Sequence, residues 1–178
     1  VEEREALREA LLSGAARDGG PELEAALFAA ARADHVASLI RPALARGSDV
    51  LCDRFHDSTR VYQGLAGVDA AFLTLLEDAA LDDLRPDLTI VLDLPAADGL
   101  ARAATRRGAA TADRFEGEAV EIHETRRRRF LEIAAADPKR CRVVDASRPA
   151  DEVAREVARI LGDKLGEVIG QRSSEPVA

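Results

Sequence analysis

The sequence predicts an α/β fold built on a doubly wound parallel sheet. Three observations predict it. Val50-Leu51-Cys52, Thr89 to Leu94 and Cys141 to Val144 are short runs that are apolar on both faces. Such runs read as buried parallel strands, because half-exposed antiparallel strands alternate apolar and polar residues. Helical patterns separate them, and the alternation of strand and helix is the signature of an α/β sheet. Finally, 178 residues with 47% hydrophobic content suffice for one domain with a sizeable core.

In chain order, residues 2–12 place Ala6, Leu7, Ala10 and Leu11 at helical spacing, and Ser13-Gly14 and Gly19-Gly20-Pro21 interrupt the pattern. A long helix is expected from Pro21 to about Arg46, bent near Pro42, whose ring removes a backbone donor, and stopped by Gly47. The run ending at Asp53 is the first strand. Further helices are expected over 68–83, 96–107, 117–136 and 149–168, with strands at 89–94 and 141–145 between them. Residues 169–178 read as a disordered tail, leaving 1–168 as a single domain. There is no internal repeat.

Composition narrows the function. A net charge of −8 disfavours a broad nucleic-acid surface. No apolar run approaches the roughly 18 residues of a membrane span, so no membrane role is expected. Cys52 and Cys141 are too few for a disulfide framework or a zinc site, which leaves a reducing cytoplasm as the expected compartment. The chain has no methionine, so Val1 is either an alternative start or the first residue of an internal fragment. Lys139 and Lys164 are its only lysines.

Each expected strand ends in an aspartate: Asp53, Asp93 and Asp145. Ligands of open α/β sheets bind beyond the carboxyl ends of strands. For Asp93 and Asp145 a loop or helix-cap role competes with a ligand role. Asp53 is followed by Arg54, a pair suited to a metal and a phosphate.

The stretch Asp53-Arg54-Phe55-His56-Asp57-Ser58-Thr59-Arg60-Val61-Tyr62-Gln63-Gly64 resembles the thymidylate kinase signature, a strand-end DR followed by a hydroxyl pair and then YQ. Upstream, Phe28 and Arg32 match the family's F-x-x-x-R helix. Arg41-Pro42-Ala43-Leu44, Pro86-Asp87-Leu88-Thr89, Asp113-Arg114-Phe115-Glu116 and Asp145-Ala146-Ser147 stand in the family's order, so the likeness covers nearly the whole chain. Phe28 and Arg32, four apart, share a helix face. A phenyl ring there can stack on a pyrimidine, and the donor-only guanidinium suits a thymine carbonyl where cytosine presents an amino group. Gln63 can both donate to and accept from thymine's N–H and carbonyl edge, with the Thr59 hydroxyl nearby. Arg54 would grip the monophosphate. The resemblance implies that Tyr62 crowds the sugar against a 2′-hydroxyl, and that Asp53 holds Mg²⁺.

Residues 102–129 hold eight arginines against five acids, in a chain that is acidic overall. The family places its lid here, at about 102–116. Lid arginines are the bacterial variety, and Arg106, Arg107 and Arg114, with Arg54, would neutralise charge on the transferring phosphoryl group. Arg126 to Arg129 wind round a helix and read instead as a solvated face.

The resemblance implies a P-loop kinase-like three-layer parallel sheet flanked by helices, lacking the family's first two strands and the GxxxxGK[ST] loop between them. It implies transfer of the ATP γ-phosphate to dTMP, with Mg²⁺, by a homodimer joined near residues 28–45 and 56–80. The competing reading is a shortened, non-catalytic relative that binds a nucleotide monophosphate. Another deoxynucleotide kinase is disfavoured by the Phe28/Arg32 and Thr59/Gln63 pairs.

Overall fold

The structure is a computed structural model. It describes residues 19–107 and 118–174, including the side chains of 19–106 and 118–166. The expected helix at 2–12 lies outside the described residues. The chain divides into two compact units, one ending at Arg85 and one beginning at Pro86.

In the first unit, Pro21 opens α1 (Pro21–His35) at a position where a missing N–H is harmless. Gly20 precedes it at φ 90°, a conformation that disfavours a side chain. Glu22 and Glu24 lie in the first turn and Arg32 and His35 in the last, complementing the helix dipole. The bend expected near Pro42 takes the form of a π-helical turn, Val36–Ile40, followed by α2 (Arg41–Ala45). Pro42 has no N–H to continue the ladder, and the Arg41 N–H reaches back five residues to the Val36 carbonyl. Gly47 ends the run as expected, at φ 77°. Its N–H bonds Leu44 O at 2.9 Å while the Ser48 N–H bonds Ala43 O at 3.1 Å, which closes both orphan carbonyls.

Two helices follow: α3 (His56–Leu65) and α4 (Ala70–Leu81). Asp69 caps α4, its carboxylate accepting from the Ala71 and Phe72 N–H groups. Arg41 closes the other end, donating to Leu81 O at 3.2 Å and to Asp83 at 2.6 Å. Ala25, Val68 and Leu73 form one apolar cluster with Phe72 and Leu76, and Val36, Ile40 and Leu81 form another with Phe55 and Leu84.

One expected element is corrected. Val50-Leu51-Cys52 is not a strand, and Leu51 is 96% exposed. A strand exists only through the ladder it shares with a neighbour. Among the described residues no strand pairs with residues 50–52.

In the second unit, β1 (Thr89–Asp93) and β2 (Cys141–Asp145) pair in parallel as expected, Thr89 opposite Cys141 and Asp93 opposite Asp145, but they are not buried on both faces: Leu92 is 56% and Val143 48% exposed. Arg140 pins the entry to the ladder, donating to Thr89 Oγ1 at 2.7 Å and to Asp137 at 2.9 Å. The crossover contains α5 (Ala96–Arg107) and α6 (Val120–Ala136), and α7 (Ala150–Ser174) follows β2. Helix α6 packs on both strands and α7 on β2. The last helix runs past residue 168, where the tail was expected to begin. Gly166 and Gly170 each cost only about 1 kcal/mol in a helix and do not end it. Among the described residues no helix is long and apolar enough to cross a membrane.

Candidate functional site

The face of α1 that carries Phe28 also carries Glu24 and Arg32, because residues four apart lie above one another on a helix. Thr59 and Gln63 are likewise four apart on α3. Two side-chain bridges join these faces. Arg32 Nη2 donates to Thr59 Oγ1 at 2.7 Å, and Gln63 Nε2 donates to Glu24 Oε2 at 3.2 Å. Phe28 therefore lies, along α1, between the two rungs.

Thr59, Gln63 and Glu24 are buried, while Phe28 and Arg32 are partly accessible. Arg32 also donates to Phe55 O at 3.4 Å, and its guanidinium sits 5.7 Å from the Phe55 ring centre. Burial pushes its pKa below the ordinary arginine value, with Glu77, Cys52 and Asp57 opposing. Both bonds leave from Nη2, so the guanidinium presents further donors.

Arg54 occupies the left-handed region at φ 61°. Such a conformation is uncommon for a residue with a side chain, and it recurs at functional sites. It turns the chain out of the 50–53 segment into α3. The Arg54 guanidinium lies 4.6 Å from the Tyr62 ring centre, and Nε donates to Ser58 Oγ at 3.2 Å. Asp53 beside it is exposed. The thiol of Cys52, one residue back, is pushed up by burial, with Arg32 opposing and Asp53 adding to the shift. Among the described residues no three His, Cys, Asp or Glu side chains gather as a metal-holding group.

The structure thus brings Phe28, Arg32, Thr59 and Gln63 together, and separately pairs Arg54 with Tyr62. Of the three lid arginines only Arg106 has a described side chain. Arg106 is exposed on the last turn of α5. The side chain of Arg107 and all of Arg114 lie outside the described residues. Arg102 points elsewhere, holding the Ala146 and Ser147 carbonyls at 2.7 and 3.1 Å.

The strand-end aspartates of the second unit are structural. Asp93 accepts a bidentate pair from Arg127 at 2.6 and 2.9 Å, and Asp145 accepts from the Ser147 hydroxyl and N–H. Arg127 also binds Glu124 at 2.7 Å, holding that carboxyl below the usual range, while its own pKa is raised by Asp93 and Glu124. The 126–129 run is therefore not a uniformly solvated face. Arg127 is 29% exposed and fastens α6 to β1, and Arg126 pairs with Glu118.

Sequence reasoning passed over Glu24 and the acid network under α3. Arg60 donates to both Glu77 oxygens, at 2.7 and 2.8 Å, and His56 lies 3.4 Å from Asp57 and 3.9 Å from Glu77. For Glu24 the signal was available, four residues before Phe28 on the same face.

The family model "Thymidylate kinase" matches residues 2–157. Thymidylate kinases from two strains of Rhodopseudomonas palustris, TIE-1 and ATCC BAA-98 / CGA009, are each 50% identical to the chain over 174 residues. Those alignments cover 97% of this chain and 72% of each relative.

Proposed function

The chain belongs to the thymidylate kinase family, and from that premise we propose which of its residues carry the reaction. The activity is dTMP kinase activity, in nucleotide biosynthesis: a phosphate oxygen of dTMP attacks the γ-phosphorus of ATP, the bond to the bridging oxygen breaks, and dTDP and ADP leave.

The acceptor base stacks on Phe28. Arg32 donates to thymine O4, and Thr59 and Gln63 line the same edge. Tyr62 lies under the sugar. Arg54 takes the 5′-phosphate; its guanidinium is exposed, held by a 3.2 Å bond to Ser58 and by the Tyr62 ring. Positioning and charge stabilisation are most of phosphoryl-transfer catalysis, so holding the attacking oxygen is a catalytic role. Arg106, Arg107 and Arg114 close over the phosphates from the lid.

Asp53 is an exposed carboxylate beside Arg54, a hard oxygen donor of the kind Mg²⁺ takes, and it is the residue that would hold the ion. When bound, Mg²⁺ offsets the charge of the polyphosphate. A homodimer paired through the α1–α2 and α3–α4 segments accounts for Leu39, Leu44 and Leu75, large apolar residues exposed there. A reducing cytoplasm suits Cys52 and Cys141, both free thiols.

The observation that carries this reading is the 2.7 Å bond from Arg32 to Thr59, which fixes a donor-rich group beside Phe28. Arg32→Ala tests it. By calorimetry dTMP binding should weaken about 10- to 100-fold, the ~1–3 kcal/mol of a base-edge contact, and preference over dCMP should relax. Unchanged dTMP affinity would refute the thymine assignment.

A further inference from the structure

We propose that Glu24 is a positioning residue: it sets which end of the Gln63 amide meets the base, and so makes the site select a pyrimidine whose N3 carries hydrogen. The proposal deepens the acceptor-site reading above and rests on it.

A primary amide has a donating end and an accepting end, and either can face a ligand unless a neighbour decides. A carboxylate offers acceptors only. Glu24 Oε2 lies 3.2 Å from Gln63 Nε2, so the amino end is the one turned to Glu24. Rotating the amide by half a turn would set Gln63 Oε1 against a carboxylate oxygen at the same separation. Glu24 is 7% exposed and Gln63 4%, so water cannot relieve that clash. A buried polar atom left without its bond carries the full cost of its desolvation. Oε1 is thereby the end left for a ligand, and among the described residues it takes no hydrogen bond.

An acceptor at that point matches thymine or uracil, whose N3 carries a hydrogen. It repels cytosine, whose N3 is a lone pair. Arg32, eight residues on along the same face, supplies donors only. One face of α1 thus ends in an acceptor-only group at position 24 and a donor-only group at position 32. Each imposes one polarity on the base edge, Glu24 through Gln63 and Arg32 directly. Two such constraints reject cytosine at two adjacent atoms.

The test is Glu24→Gln, an isosteric change after which the side chain at position 24 can accept or donate and the Gln63 amide is free to turn. Calorimetric affinities for dTMP and dCMP are measured on both proteins, with thermal melts to check the fold. If the wild type prefers dTMP and the variant loses that preference about tenfold or more, the proposal stands. A wild type that prefers dTMP, with a variant that keeps the full preference, overturns the role of Glu24 and leaves the acceptor site intact. A wild type with no preference overturns the acceptor-site reading itself, and this proposal with it. The exchanged pair, E24Q with Q63E, supplies rescue: the amide moved to position 24 donates to the carboxylate moved to position 63, whose other oxygen still accepts. It should recover the dTMP preference, which a merely structural role for Glu24 does not require. Failure of the well-folded exchanged pair to recover any preference counts against the proposal.

Discussion

The ion pair between Arg60 and Glu77 is asymmetric, and its two disruptions should differ in a definite order. The Glu77 side chain is 6% exposed and that of Arg60 43%. Arg60→Ala leaves a buried carboxylate whose nearest remaining cation among the described residues is Arg85 at 3.8 Å, with the His56 ring at 3.9 Å. Breaking a buried pair from one side costs about 3–5 kcal/mol, and the partial cover from Arg85 puts this case near the lower end, about 3 kcal/mol. Glu77→Gln removes the charge instead and keeps an oxygen that accepts one N–H. Arg60 then recovers water on its exposed side, so the loss is about 1 kcal/mol. The assay is urea unfolding followed by the fluorescence of Tyr62, the only tyrosine in a chain without tryptophan, placed on α3 beside the pair. With a slope of about 1–3 kcal/mol per molar urea, the Arg60→Ala midpoint should fall by about 1–3 M and that of Glu77→Gln by about a third as much. A Glu77→Gln protein as unstable as Arg60→Ala would show that the carboxylate is not the group the fold protects.

Three other outcomes are expected. Arg54→Ala, in an enzyme that carries an ATP-phosphate loop, should lower kcat by about 10²–10³, as loss of a preorganised charge contact does. Arg54→Gly should do the same while gaining about 1 kcal/mol in urea unfolding, because φ 61° suits glycine. Glu124 is held below its ordinary pKa by Arg127, and Asp145 by Ser147. Their contribution to stability is therefore full above about pH 4.5 and lost as pH falls through the lower folded values, which carboxyl NMR titration and acid unfolding measure together. Residues 1–178 alone should bind dTMP by calorimetry yet release no ADP in a coupled assay, whereas a version preceded by a GxxxxGK[ST] segment should turn over. Turnover by the shorter chain would mean that it holds ATP by another device.

Helices with an apolar inward face were legible in the sequence. The patterns over 96–107 and 117–136 end within a few residues of α5 and α6, and Pro42 and Gly47 each mark a real change of backbone geometry. Helix α3 was not found by periodicity. Its buried residues are His56, Asp57, Thr59, Val61 and Gln63, so the side turned inward is mostly polar and a hydrophobic period cannot register it. The 50–52 run erred in the opposite way. Its residues have strand character, but a strand is a property of two segments, and local composition cannot report whether a partner pairs with it.

The same distinction separates the legible part of the site from the rest. Phe28 and Arg32 are recognisable because they sit four apart on an expected helix, whereas Thr59 and Gln63 enter only through the family signature. Which residue each one bonds is a question of helix against helix: Arg32 meets Thr59 across 27 residues of chain, and Gln63 meets Glu24 across 39. Glu24 illustrates the consequence. Read along the chain, it is one more acid in the first turn of α1, where a negative charge already suits the helix dipole. Its bond from the amino end of a buried amide gives that carboxylate a second task. An acid that satisfies a local rule hides any longer-range role it also performs, so local fit at position 24 is no argument against function there.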